Sequence, residues 1–173
     1  RPLQHLLGNV EFFGNEFVCD ERALIPRPET EHLVDLLAKM PWPESVSILD
    51  VGCGSGVIGL SLGAALRDKQ AQVVLADVSA EALSLAKENL DQLAEAIEGS
   101  EVSILESDLF ESVDGIFHLI VANLPYLSDA DMTNLSVEVQ EDPKLALHGG
   151  LAGTEIMDRF LNAVSAHLQT EGT

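Results

Sequence analysis

Apolar positions along the chain fall into short runs with two different periods. "VEFF" (10–13) and "EFVC" (16–19) flank Gly14-Asn15, a two-residue turn signal, and predict a β-hairpin. In "LIPRPETE" (24–31) two prolines fix the backbone, and beyond it Leu33, Val34, Leu36, Leu37 and Met40 recur at helical spacing until "PWP". "SVSILDV" (45–51) predicts a buried strand running straight into "GCGSG", with a helix following through Leu66. "AQVVLAD" (71–77) is the next strand, and Ser79 is placed to cap a helix carrying Leu83, Ala86, Leu90 and Leu93. "EVSILE" (101–106) and "IFHLIVA" (116–122) complete four strands. "EVQEDPKLALHGGLAG" (138–153) reads as loop, and "TEIMDRFLNAVSAHL" (154–168) as an amphipathic helix.

Strands separated by helix or loop predict an α/β fold: a Rossmann-like, doubly wound, mostly parallel sheet with helices on both faces, preceded by the hairpin. The expected division is a hairpin and linker helix over residues 1–41 and a core over 42–173. The chain stops where another strand is expected and opens on Arg1 instead of Met, so it reads as a piece of something longer. No internal repeat and no low-complexity tract interrupts it.

Composition narrows the partners more than the fold. The 173 residues, 46% hydrophobic, fit one globular domain with a real core. No apolar run has the length of a membrane span, and no basic-then-apolar leader opens the chain. Two cysteines, Cys19 and Cys53, suggest no disulfide framework and fit a reducing, cytoplasmic setting. With 29 acidic residues against 9 basic ones the net charge is −20, which repels phosphate backbones and disfavours direct nucleic-acid binding. The excess suits a basic protein partner, or simply keeps the protein soluble. The five histidines show no ligand spacing, so no metal is expected, and His118 reads as a packed core or edge residue.

Candidate chemistry begins at "DVGCGSG" (50–56), between a strand and a helix, where glycines let backbone approach a ligand. Gly54, Gly56 and Gly59 also satisfy G-x-G-x-x-G with Asp77 downstream, a pattern that suits a nicotinamide dinucleotide. Two details favour S-adenosyl-L-methionine instead. Asp50, just before the glycines, would attract a cationic group and repel a pyrophosphate. Asp77 ends the second strand, placed to accept hydrogen bonds from ribose hydroxyls, and Asp108 in "SDLF" ends the third, placed for an adenine amino group. The alternative is that Asp77 and Asp108 only cap helices.

The fourth strand poses its own question, because "LIVA" gives way to Asn123, Leu124, Pro125 and Tyr126. A planar NH2 acceptor has a delocalised nitrogen lone pair. The Asn123 side-chain oxygen and the Leu124 carbonyl would each take one N–H and favour a pyramidal nitrogen. Pro125 stiffens the turn and the Tyr126 ring would stack on the planar group. The alternative is a plain Asn-Leu-Pro turn with a core tyrosine.

These strand-ending motifs resemble those of class I methyltransferases. The resemblance implies that Gly52, Cys53, Gly54, Ser55 and Gly56 line the methionine and ribose portion of S-adenosyl-L-methionine. It also implies that Asp77 holds the ribose, that Asp108 with Leu109 borders the adenine, and that Asn123 lies near the methyl. Cys53 is then a loop filler, having no evident base to activate it. "NLPY" resembles the "NPPY"-type motif of enzymes that methylate amide or exocyclic amino nitrogens, departing at Leu124, where the backbone carbonyl survives.

The same tetrapeptide occurs in rRNA adenine dimethyltransferases, so the substrate turns on the segment upstream. "QHLLGNVEFFGNEFVCDERALIPRPETEHLV" (4–34), together with "ILDVGCGSGVIGLSL", "ADVSAEALSLAKENL", "LIVANLPYL" and "DPKLALHGG", resembles the HemK/PrmC family of peptide chain release factor glutamine N5-methyltransferases. That resemblance implies protein methylation in translation termination: methyl transfer to the glutamine amide of the Gly-Gly-Gln loop of release factors. Membrane, metal and direct nucleic-acid contacts have no part in it. It implies too that "IPRPETE" lies beside the active site, with Arg27, Glu29 and Glu31 contacting substrate or holding the pocket closed. Alternatively Pro28 starts a helix whose first turn carries both glutamates. A helical domain before Arg1 and the last core strands after Thr173 are expected from the family. The other readings are a glutamine methyltransferase of ribosomal protein L3, an adenine N6-methyltransferase, and, from another class, a nicotinamide-binding or non-catalytic S-adenosylmethionine-binding module.

Overall fold

The computed structural model describes residues 2–136 and 139–173. A short helix α1 (Leu3–Leu7) leads into an antiparallel pair, β1 (Asn9–Phe12) and β2 (Asn15–Val18), with Phe12 opposite Asn15. The hairpin turn is therefore Phe13-Gly14, one residue earlier than the Gly14-Asn15 expected. Both turn residues take positive φ, 49° and 73°, the two-residue geometry that follows strand twist. This register seats Phe12 and Phe17 in the core, edge to face at 6.1 Å between centroids. Gly-Asn alone carried no information about which register buries the rings.

Helix α2 (Thr30–Ala38) buries Val34 and Leu37 and leaves Leu36 exposed. Four parallel strands follow: β3 (Ser47–Val51), β4 (Gln72–Asp77), β5 (Glu101–Glu106) and β6 (Leu119–Ala122), in the order β5-β4-β3-β6. Between them run α3 (Val57–Ala65) and α4 (Ala80–Gln92), and the Ser79 hydroxyl caps α4 by accepting the Ala82 N–H at 3.2 Å. Successive strand residues go to opposite faces. Ile48, Val73, Leu75 and Leu119 pack with α2, α3 and α4, whereas Leu49, Val51 and Ala76 pack with Phe110, Phe117 and Phe160. Burial on both faces explains why the inner strands β3 and β4 read as near-continuous apolar runs. The chain leaves β3 for β4 on one side and returns to β6 on the other. That reversal opens a crevice at the carboxyl ends of the adjacent strands β3 and β6.

Strand β6 is shorter than the 116–122 expected. Phe117 makes only an isolated parallel bridge with Leu168, and His118 ties the strand entrance to β3, accepting the Ser47 N–H at its Nδ1 (3.1 Å). After β6 come β7 (Leu127–Ser128) and α5 (Asp129–Met132), the latter started by a capping box between Ser128 and Asp131.

The stretch 138–153, expected to be loop, contains α6 (Lys144–Leu147) and β8 (His148–Gly150), the latter paired in parallel with β7; Glu138 lies outside the described residues. A pairing between residues so far apart leaves no periodic trace in the sequence. Helix α7 (Glu155–Ala163) covers the second face of the sheet through Ile156, Phe160 and Ala163. It passes into a 3₁₀ turn at Val164–Ala166 instead of running on to Leu168. Among the described residues no helix is long and apolar enough to cross a membrane.

Candidate active site

The glycine loop between β3 and α3 is fixed from three sides. From below, Gly52 and Cys53 both donate their N–H to Ala76 O, at 2.8 and 3.0 Å. From the end of β4, Asp77 accepts the Gly54 N–H at 2.9 Å and, with its other oxygen, the Ser79 N–H at 2.9 Å. From α4, the fully buried Asn89 donates to Ser55 O at 2.9 Å. Its side chain also accepts the Val18 N–H at 2.7 Å and donates to Val18 O, so one amide ties the hairpin to the loop.

The tip of β6 faces this loop. Asn123, Leu124 and Pro125 line the same cleft as Gly52, Gly54 and Asp77. Leu124 is buried, and a Cβ placed on Gly52, whose φ is +69°, would come 3.1 Å from Leu124 Cδ2. Asn123 is exposed to the cleft, and among the described residues none hydrogen-bonds its side chain. Its amide oxygen is therefore available to a ligand.

Two further segments complete the walls. On one side, Leu24, Ile25, Pro26 and Arg27 run over the loop; on another, Asp108 and Leu109 follow β5. Leu109 takes φ +52°, a costly conformation for leucine, and is held there by the Ser107 hydroxyl donating to Leu109 O at 3.0 Å. Asp108 Oδ2 pairs with Arg159 of α7 at 2.9 Å, and the Asp108 side chain stays 42% exposed. Among the described residues no group of three or more His, Cys, Asp or Glu is arranged to hold a metal ion.

The family model for the methyltransferase small domain matches residues 29–150, which run from the residue before α2 to the end of β8. The chain belongs to this methyltransferase family. A release factor glutamine methyltransferase of Deinococcus radiodurans is 43% identical over 172 residues, 99% of this chain and 59% of the relative. One from Chlorobaculum tepidum is 44% identical over 156 residues, 85% of this chain and 52% of the relative. The chain thus spans little more than half the length of these curated relatives. Among solved structures, a ribosomal protein L11 methylase of Lactobacillus delbrueckii subsp. bulgaricus superposes with a TM-score of 0.54 at 23% identity, over 84% of this chain and 58% of that one. The sheet is that of class I methyltransferases.

Within this methyltransferase domain the sequence-predicted site residues divide into two groups. Gly52, Cys53, Gly54 and Ser55 meet Asp77, Asp108, Leu109 and the Asn123–Pro125 tip in one cleft, with Arg27 at its edge. Asp50, Gly56, Tyr126 and Glu29 do not line it.

Asp50 is a correction. It lies beneath the loop, 1% exposed, and accepts the Gly59 N–H of α3 at 2.9 Å while its second oxygen finds no protein partner. Burial raises its pKa to about 7 against the single backbone hydrogen bond from Gly59. Gly56 is packed against Leu60, Leu75 and Ala86, with its backbone turned inward. Glu29 precedes α2 without capping it and lies in a shallow surface depression with Glu31, His32 and Asp35. The Tyr126 ring is 68% exposed and off the cleft wall, because its backbone is pressed against Gly149 and Gly153.

The cysteine reading gains a cause. Burial pushes the Cys53 thiol well above its ordinary value and the Cys19 thiol up to about 11, leaving no thiolate for nucleophilic work.

Three residues that hold cleft-lining groups without lining the cleft themselves escaped sequence reasoning. Asn89 is a polar residue on the inward stripe of α4 between Ala86 and Leu90, and that placement was the available signal. Asp142 sits just before Pro143, with its side chain wholly buried against Arg27. Arg159 lies on α7, far from every motif, and nothing local marks it.

Proposed function

We propose that this chain carries the catalytic core of a release factor glutamine methyltransferase, transferring a methyl group from S-adenosyl-L-methionine to the side-chain amide of the glutamine in a Gly-Gly-Gln loop. The observation that carries this reading is the contact of the Asn123 tip with the glycine loop through Leu124 and Gly52 in one cleft with Asp77. The names of the relatives, aligned over nearly all of this chain, support the choice of acceptor.

The residues present fit the donor. Gly52 and Gly54 leave backbone where a side chain would fill the cleft, and each Asp77 oxygen keeps a lone pair for a ribose hydroxyl beyond its backbone hydrogen bond. The Asp108 oxygen not held by Arg159 and the strained Leu109 backbone suit the adenine end. When bound, the donor supplies a methyl carbon made electrophilic by its sulfonium.

The protein's share is positioning. The Asn123 side-chain oxygen and the Leu124 carbonyl would accept the two N–H groups of a primary amide and hold its nitrogen toward the donor. Acceptors on both hydrogens weaken amide delocalisation as the nitrogen becomes pyramidal. The N-methylated amide is acidic enough to lose its extra proton to water or a carbonyl, so no side-chain base is required. We assign this activity to the cytoplasm, where the unpaired Cys19 and Cys53 stay reduced.

The test is to incubate the full-length protein with methyl-labelled donor and, separately, release factor, ribosomal protein L3 and a DNA duplex. Label in the release factor, abolished when its Gly-Gly-Gln glutamine is replaced, is the expected result. Label in L3 alone or DNA alone overturns the acceptor, and titration showing binding of NAD in preference to S-adenosyl-L-methionine overturns the donor.

A further inference from the structure

Asp142 and Arg27, 115 positions apart in sequence, meet beside the cleft at 2.7 Å between Oδ2 and Nη2. The Asp142 side chain is 0% exposed and the Arg27 side chain 42% exposed. The other Asp142 oxygen accepts the Ile25 N–H at 3.2 Å. Both oxygens of a wholly buried carboxylate thus find their partners on one short segment, Leu24–Arg27. Removing a carboxylate from water is costly unless each oxygen is compensated, so Asp142 is stable there only while this segment lies against it.

That segment is a strap over the glycine loop. At its head, the Cβ of Ala23 would lie 3.8 Å from a Cβ built on Gly54, and Leu24, Ile25, Pro26 and Arg27 all line the cleft. Its front is tied by Arg22, which reaches Asp20 and Glu88 at 2.6 and 2.7 Å; its rear is tied by Arg27 to Asp142. Directly after Asp142, Pro143, Leu145, Ala146 and His148 form more of the same cleft wall. The carboxylate therefore joins two walls that no regular secondary structure connects.

We propose that Asp142 is a positioning residue: through Arg27 and the Ile25 amide it sets the closed position of the Leu24–Arg27 strap over the cleft. Arg27 then acts by anchoring the strap and not by touching the acceptor. Strap down, the cleft excludes water from the donor and the two walls hold their spacing; strap up, the donor enters and leaves. The functional part of this proposal rests on the donor site proposed above, while the strap itself is a property of the protein without ligand.

The experiment compares full-length wild type, Asp142→Asn, Arg27→Met and the double variant. Amide hydrogen exchange over residues 22–30 is followed without ligand, and S-adenosyl-L-methionine affinity by calorimetry. Each single variant is expected to speed exchange of the strap amides and weaken donor binding, by about tenfold each. The double variant should be no worse than Asp142→Asn, because both singles break one link. In turnover, the donor KM should rise more than kcat falls, a split that general loosening of the fold would not give. Because Arg27 is half-exposed, Arg27→Met keeps the test open if Asp142→Asn fails to fold. Unchanged strap exchange in Arg27→Met, or additive effects in the double variant, overturns the proposal. If wild type binds no S-adenosyl-L-methionine, the proposed function fails, and exchange in the unliganded protein still decides the strap.

Discussion

Leu124 Cδ2 stands 3.1 Å from the point where a Cβ on Gly52 would sit, so the glycine loop and the Asn123 tip are in contact and not merely neighbours. Loop and tip belong to adjacent strands β3 and β6, whose register puts Val51 beside Ala122. A disturbance of either is transmitted to the other.

Gly52→Ala should therefore act on the tip. It places a Cβ at φ +69°, costing about 1 kcal/mol of backbone strain, and pushes Leu124. Turnover at saturating donor should fall, because Asn123 moves. Gly54→Ala meets only Ala23 at 3.8 Å and should instead weaken donor binding, since its new methyl enters the cleft. Calorimetry beside single-turnover kinetics separates the two.

Asn123→Ala removes one of the two acceptors proposed for the amide N–H groups and leaves the glycine loop intact. Methyl transfer should drop by about 10²–10³-fold, the usual loss for one positioned hydrogen-bonding group in a transition state. Donor affinity should stay within about twofold of wild type. Unchanged turnover would remove the side chain from the mechanism.

Asp50 predicts a pH dependence. Its pKa of about 7 in the fold stands above the ordinary carboxylate value of 3.8. Between these values the unfolded chain has released a proton that the folded chain retains. This contribution to stability is full below about pH 4 and is lost as pH rises through 7. The loss is on the order of a few kcal/mol for a wholly buried group. Asp50→Asn keeps an acceptor for the Gly59 N–H and carries no charge, so it should flatten the profile and be the more stable protein at pH 8. Urea denaturation at pH 5 and pH 8 reads the difference; parallel profiles would exclude Asp50 as its source.

Asn89→Ala should destabilise without touching the cleft. Three hydrogen bonds from a fully buried side chain disappear, and Val18 N and Ser55 O lose partners. The expected cost is about 2–4 kcal/mol, seen as a lower denaturation midpoint. Because Ser55 belongs to the glycine loop, donor affinity should fall with it.

The parallel core was legible because its signals are local. Residues 47–51 and 72–77 carry apolar runs of strand length and 101–106 a mixed one rich in Val, Ile and Leu, each set off by helical patterns, and Ser79 announces the helix it caps. The hairpin was legible as a hairpin, but its register was not: Phe13-Gly14 won over Gly14-Asn15 once Phe12 and Phe17 had a core to enter. Strand β8 was invisible because its pairing partner β7 lies far away in sequence and its Gly149 serves close backbone packing against Pro125 and Tyr126.

The site shows the same boundary. Sequence alone determined which residue types end which strands: Gly52 to Ser55 after β3, Asp77 at the end of β4, Asp108 beyond β5 and Asn123 after β6. Strand order then brought them to one crevice, since motifs at the carboxyl ends of parallel strands converge wherever that order reverses. Tertiary structure decided which of those side chains face outward. Asp50 follows an alternating strand onto the face covered by α3 and is buried, while Asp77, one strand over, reaches the cleft. It also decided that Arg27 is spoken for by Asp142, because a buried charge takes its partner from whatever the fold brings within reach, and no sequence spacing encodes that meeting.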